Sequence, residues 1–565
     1  MNKRPFQSTG VIAVLFLGLL SVASSCATIA GTWKYDCLHS ALAGGDAAAV
    51  EALLADGANP NEIGETGETP LDVVLRQHFF YAESMAGGKD SRYVEMARCL
   101  LLAGADVFRL SPDGETVLAR VSASGMTGLV AWLLTRSKVP VDMPDQDGAT
   151  ALMSASLFGQ RTVVEQLLRA GADPKAANDA GMTALALAVE SVEPELFETL
   201  VEAGSPVNRQ DGAGETALFK AARNGRADIV RGLLDSGADV AIARNDGTSS
   251  LAIAALRGHL AVVRVLFETG ADPELRDRSG RTPLMRAAAA GQKEVIDYLL
   301  DEGCQLDVAT RLGWTVLFFA AARGHTAVVE SLLERGADLS TTSLRGWSVM
   351  HAAAAYGHHH TAALLLDKGV PVTGGDLAWT PLLLAAQGGH VETVAFLLEH
   401  GARPEDRNES GWDALMVAAY AGYDRVVSVL LEHGADPTVT DARGWNALIG
   451  AIRRGAGKSA CLLLDKGAVI TNAGAGGFSL LLESARRGDV ASGRCLLQHG
   501  AQPDTANRRQ WTPLMMAATA GHRDFAALLL ECGASLDLAN GEGKTAADIA
   551  LNAGHKELAR LLKPK

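Results

Sequence analysis

Residues 280 to 312, GRTPLMRAAAAGQKEVIDYLLDEGCQLDVATRL, decide the fold of this 565-residue chain. Thr282 can accept a backbone N–H at a helix start, Pro283 suits the first helical position, and Leu284, Ala287 and Ala288 fall on one face. Gly291 ends that helix in the left-handed conformation that glycine adopts without a Cβ clash. A second helix from about Lys293 to Glu302 carries Val295, Ile296, Leu299 and Leu300 inward and stops at Gly303. Helices of two or three turns are marginal alone, so this unit must bury its apolar face against another copy of itself.

The copies are present. Counted from the opening glycine or the residue in its place, units start at Lys34, Gly67, Gly114, Gly148, Gly181, Gly214, Gly247, Gly280, Gly313, Gly346, Ala378, Gly411, Gly444, Gly477, Gln510 and Gly543. The step is 33 residues except for steps of 47 after Gly67, 34 after Gly114 and 32 after Gly346. A fixed period of 33 joins TPL at Thr69, Thr282, Thr380 and Thr512, GH at Gly258, Gly324, Gly357, Gly389, Gly521 and Gly554, and GAD at Gly104, Gly171, Gly237, Gly270, Gly336 and Gly434. Over roughly nine-tenths of its length the chain resembles an ankyrin-repeat protein. The resemblance implies an all-α solenoid of about sixteen helix-turn-helix units with short β-turn fingers. The family histidine after TPL remains only as His351 and, in the first unit, His39; Met153, Met285, Phe318, Met416 and Met515 stand in its place elsewhere. That exchange implies a stack held more by packing than by the histidine's hydrogen bonds.

Residues 34–565 form the expected repeat domain, with its first unit as N-terminal cap and GKTAADIALNAGHKELARLLKPK as C-terminal cap. The long second step implies an insertion at about 78–91, between the two helices of its unit. Its Phe79, Phe80 and Tyr81 either cover the cap or form a separate contact. The N-terminus differs in kind. Lys3 and Arg4 precede an apolar run from Val11 to Leu20 and then small residues, the order of a secretory signal. Ala23-Ser24-Ser25-Cys26 resembles a bacterial lipoprotein processing site, so residues 1–25 read as a signal peptide, Cys26 as the lipidated residue and 26–33 as a linker. Cleavage nearer Ala30 or retention as an anchor are the other readings. All place the repeats outside the cytoplasm, in a lipoprotein or a periplasmic or extracellular protein, with membrane contact only through the N-terminus.

The net charge of −14 argues against nucleic acid as partner. No catalytic constellation, cofactor motif or metal site emerges. Gly457-Lys458-Ser459 lacks the first glycine of a phosphate-binding loop, Ile452 occupying that place. His358, His359 and His360 point in different directions from a helix start, and His400, His433 and His499 suit helix C-termini. The cysteines read as small core residues, with Cys461 and Cys495, in adjacent units, the first pair to test for a disulfide.

One pattern exceeds the repeat background. The residue after the anchor is Glu68, Glu115, Ala149, Met182, Glu215, Thr248 and Arg281, then Trp314, Trp347, Trp379, Trp412, Trp445, Phe478 and Trp511. In the family the matching position faces the concave groove, the surface used for partners. With units about 10 Å apart, rings that pair at about 4.5–7 Å are not expected to touch. Each must rest elsewhere, and Arg345, Arg443 and Arg509, two residues before a tryptophan, could stack on an indole. The strip thus reads either as packing or as the binding surface of a monomeric, non-enzymatic scaffold for a protein or peptide. A carbohydrate-handling module or enzyme is the alternative function, and two carboxylates converging beside the rings would favour it.

Overall fold

The computed structural model describes residues 33–64, 67–76, 91–191, 193–373, 378–470 and 479–563. Residues 1–25, Cys26, Phe79, Phe80, Tyr81 and Phe478 lie outside them. The chain forms two units, Met1–Gly212 and Ala213–Lys565.

In the first unit the helices pair as Trp33–Gly44 with Ala47–Ala55, 70–76 with Ser91–Leu102, Val117–Ala123 with Thr127–Arg136, Ala151–Leu157 with Arg161–Arg169, and Ala184–Ala188 with Leu196–Glu202. The second unit continues from Ala217–Arg223 with Ala227–Asp235 to Ala546–Asn552 with Lys556–Leu561, one pair per anchor. Among the described residues there is no extended strand, only isolated bridges such as Ala177 to Thr183.

The sequence builds each pair by the same local chemistry. At the start of the first helix Thr282 Oγ1 accepts the Met285 N–H at 3.3 Å, and Asp413 and Asn446 take over the role with Met416 and Ile449 at 2.8 and 3.0 Å. Such a cap contributes about 1 kcal/mol. Gly291 ends the helix at φ 74°, where any Cβ is strained. The second helix, Lys293–Asp301, buries Val295, Ile296 and Leu299, while Leu300 is only half-buried, so its inward face is narrower than the pattern predicts.

Alanine pairs such as Ala287–Ala288 and Ala418–Ala419 are fully buried, and their small side chains let first helices of successive repeats approach closely. Met285, Phe318 and Met416, in the family-histidine place, are buried as packing requires. His351 keeps the polar role: its Nδ1 lies 3.1 Å from the donating Ser348 N–H and 2.9 Å from Ser348 Oγ. Fingers of neighbouring repeats are joined by backbone rungs, Asp179 N–H to Asp147 O at 3.0 Å in the first unit and Leu344 N–H to Leu312 O at 2.9 Å in the second.

Cys461 and Cys495 correct the core reading. They form a disulfide, with Cα atoms 5.4 Å apart, from half-buried positions on the second helices of the thirteenth and fourteenth repeats. Of the others, Cys304 is buried, Cys99 half-buried and Cys532 exposed.

Candidate binding groove

In many of the described repeats the position after the anchor is held by a residue four earlier in the finger. Asn408 N–H donates to Trp412 O at 2.9 Å, and Asn408 Oδ1 accepts Trp412 N–H at 3.1 Å. Thr310, Ser343, Asp441 and Asn507 hold Trp314, Trp347, Trp445 and Trp511 in the same two-sided way. Ser111 does so for Glu115 and Asp277 for Arg281. The backbone of the slot is therefore common to charged and aromatic repeats, and the side chain alone changes.

What that side chain meets also follows a rule. Glu68 pairs with Arg76 at 2.9 Å, and Glu215 with Arg223 at 2.6 Å, each eight residues on along the first helix. Trp412 meets Tyr420 edge-on at 5.2 Å between centroids, and Arg453 lies 4.8 Å over the Trp445 ring, at the same spacing. Nearer on the helix, Trp314 stacks on Phe318 at 5.2 Å and Trp347 lies parallel to His351 at 6.4 Å.

Two tryptophans of successive repeats do touch, which corrects the expectation that they cannot. Trp412 and Trp445 stack with centroids 6.4 Å apart. The cause is a hydrogen bond across repeats: Trp412 Nε1–H donates to Asp441 Oδ2 at 3.1 Å and draws the indole toward the next finger. Burial alone would raise the Asp441 carboxyl, but hydrogen bonds from the Trp445 backbone and Trp412 indole, with Arg443 nearby, hold it below the usual range. Of the arginines two residues before a tryptophan, Arg443 lies over the Trp445 ring at 5.6 Å.

All six tryptophans of the strip are half-buried. Between them open two cavities, of about 590 Å³ against Arg345, Trp347, Ala378, Trp379, Leu384, Gln387 and Glu409, and about 440 Å³ against Trp379, Gln387, Trp412, Tyr420, Tyr423, Arg443 and Arg454. These sizes fall in the range that takes side chains or small ligands. Trp379 and Gln387 line both, so the cavities form successive compartments of one groove. Glu409 is the single carboxylate on their walls among the described residues, so they bring no acid–base pair together.

Gln387, Tyr420 and Arg453 each stand eight residues after a slot tryptophan, and that spacing is a sequence signal the strip-only reading missed. So is the short polar residue four before Trp314, Trp347, Trp412, Trp445 and Trp511.

Other candidates resolve into structure. Gly457, Lys458 and Ser459 begin the helix Gly457–Asp465, and Ser459 bonds Asp424 at 2.5 Å. His400, His433 and His499 each lie within hydrogen-bond distance of the carbonyl one turn earlier, at 2.8, 2.8 and 2.9 Å. The rings of His359 and His360 lie 4.0 Å apart, and among the described residues no cluster of metal-ligating side chains forms.

Tandem capped helix pairs, each with its own finger and slot, define a helical-repeat protein. Family models of ankyrin repeats match residues 84–178, 155–244, 185–277, 251–343, 339–408, 397–451 and 481–565, and the chain belongs to the ankyrin-repeat family. No catalytic family is indicated. It is 38% identical over 97 residues to a protein of Treponema pallidum (strain Nichols) described as ankyrin repeat-containing, covering 17% of this chain and 32% of that protein. It is 36% identical over 99 residues to the transient receptor potential cation channel subfamily A member 1 homolog of Caenorhabditis elegans, covering 18% of this chain and 8% of the channel. With neurogenic locus notch homolog protein 1 of Danio rerio it shares 32% over 135 residues, 24% of this chain and 5% of the relative. The chain thus spans at most about a third of these relatives.

Proposed function

We propose that the protein is a non-enzymatic scaffold of the cell envelope that holds a protein or peptide partner along the groove from Trp314 to Trp511. The observation that carries this reading is the pair of contiguous cavities that share Trp379 and Gln387. Half-buried indoles pinned through their backbones offer large apolar faces at low entropic cost, the quality of interface anchors. Phe478 extends the strip by register.

Export is supported by the charged, apolar and small-residue order of 1–25, and the lipoprotein reading by Cys26 after Ala23-Ser24-Ser25. The Cys461–Cys495 disulfide suits an oxidising compartment and favours the same placement. Among the described residues no helix is long and apolar enough to cross a membrane, and the anchor in this reading is the lipid on Cys26. The scaffold acts as a monomer.

The test replaces Trp379, Trp412 and Trp445 with alanine. A partner cross-linked to the wild-type chain in envelope extract, then purified, should bind the triple variant at least about a hundredfold more weakly, as loss of anchors of about 2 kcal/mol each requires. A large fall in melting temperature with binding intact would make the rings structural. Cys26→Ser should leave the repeats folded and release the protein from the membrane fraction or stall it as precursor.

A further inference from the structure

We infer that the groove receives an acidic peptide in extended conformation. This rests on the groove being the partner site and adds the chemistry of what enters it. The chain carries a net charge of −14, yet the cavity walls carry Arg345, Arg443 and Arg454 against the one exposed carboxylate Glu409. Arg345 and Arg454 form no ion pair among the described residues. Arg443 is 3.6 Å from Asp441 but keeps 70% of its side chain exposed. Asp441 itself is buried and already accepts from Trp412 and Trp445.

Guanidinium groups set in a partly apolar cleft are screened less than on an open surface. Their planar forks match carboxylates in bidentate fashion. Leu384 and Val417 give the two cavities apolar floors, which an aliphatic or aromatic side chain fills and an anionic polysaccharide does not. The exposed amide of Gln387, between the cavities, offers a donor and an acceptor together, as a peptide group requires. Successive compartments along the strip suit a chain whose side chains alternate, acidic toward the arginines and apolar toward the indoles.

The test measures anisotropy of a fluorescent peptide of about a dozen residues, alternating glutamate with tyrosine, long enough at ~3.3 Å per residue to cross three repeats. The purified full chain should bind it, more weakly as salt rises, and should ignore the same peptide with lysine for glutamate. Arg345→Glu with Arg454→Glu should weaken binding by at least about tenfold with melting unchanged. Arg345→Ala with Arg454→Ala should weaken it in the same direction, and Arg345→Lys with Arg454→Lys should retain most of it. Equal binding of the lysine peptide, undiminished binding by the folded reversal variant, or binding of heparin in place of the glutamate peptide overturns the inference. If Trp379→Ala with Trp412→Ala abolishes binding of the natural partner while arginine reversal does not, the groove stands and its acidic preference falls. If neither variant affects that partner, the groove reading falls as well.

Discussion

The sixth to eighth repeats and the ninth to thirteenth use one backbone for opposite purposes. In the former the slot holds Glu215, Thr248 and Arg281, and polar groups close on one another: Arg223 reaches Glu215 at 2.6 Å, and Arg286 reaches Thr248 at 2.7 Å and Asp277 at 2.6 Å. In the latter the slot holds tryptophan, and Arg443 and Arg453 lie over the Trp445 ring. A finger that satisfies its own charges contributes to the stack, while one that lays cations against indoles leaves polar and apolar surface half-exposed, the surface the proposed function assigns to a partner. The difference teaches that the repeat fixes where a side chain points and leaves its use to the residue type.

The comparison is broken most forcefully at Asp277. Its side chain is 2% exposed and holds Arg286, itself 10% exposed. Asp277→Ala leaves a buried guanidinium without its carboxylate and should cost about 3–5 kcal/mol, read as a fall in denaturation midpoint and faster amide exchange in the seventh and eighth repeats. A cost below about 1 kcal/mol would show that Arg286 recovers water and that the network is ornamental to stability.

His351 gives the next largest effect, on the aromatic side. Burial pushes its imidazole down to about 4, opposed by the Trp379 backbone. An unfolded histidine titrates near 6.5, so the native state resists a proton the unfolded chain accepts. The resulting stability is full above about pH 6.5 and is lost as pH falls through about 4, a change of roughly 3–4 kcal/mol. His351→Met, copying Met285 and Met416, should remove that part of the acid sensitivity. An unaltered pH profile in the methionine variant would place the proton uptake elsewhere.

The repeats were legible because helix starts, left-handed glycines and a 33-residue period are local signals that recur. The six described aromatic slots were legible for the same reason, since the register survives the short step before Trp379. What the strip alone did not disclose was partnership across repeats. The Trp412–Trp445 stack depends on one indole N–H finding Asp441 in the next finger, a contact 29 residues away that no single unit announces. Cys461 and Cys495 likewise looked like the small core side chains around them. Their pairing depends on two outer helices facing each other at half-buried positions.

That disulfide supplies the third effect. It closes a loop of 34 residues between the thirteenth and fourteenth repeats, for which chain entropy gives about 3–4 kcal/mol before native-state adjustments. Cys461→Ser, Cys495→Ser and dithiothreitol should lower the melting temperature of wild type to the same extent and be non-additive. Additive losses would mean that the thiols stabilise through packing. Smaller still is the stability change at Trp412→Ala, about 0.5 kcal/mol or less if the ring is surface, against about 2 kcal/mol in partner binding. Reversed sizes would assign Trp412 to the stack.

Another small effect isolates the backbone beneath the strip. Gln510 stands where most repeats have glycine, immediately before Trp511, and adopts φ 61°. A side chain there meets the steric cost of left-handed backbone, partly offset because glycine would lose more freedom on folding. Gln510→Gly should therefore stabilise the fifteenth repeat by about 0.5–1 kcal/mol. Trp511 should keep its position, since the bond from its N–H to Asn507 does not involve the side chain at 510. Higher melting with unaltered partner affinity would separate the cost of making the finger from the use made of its indole. Lower affinity in the more stable variant would instead show that Gln510 contacts the partner and belongs to the groove.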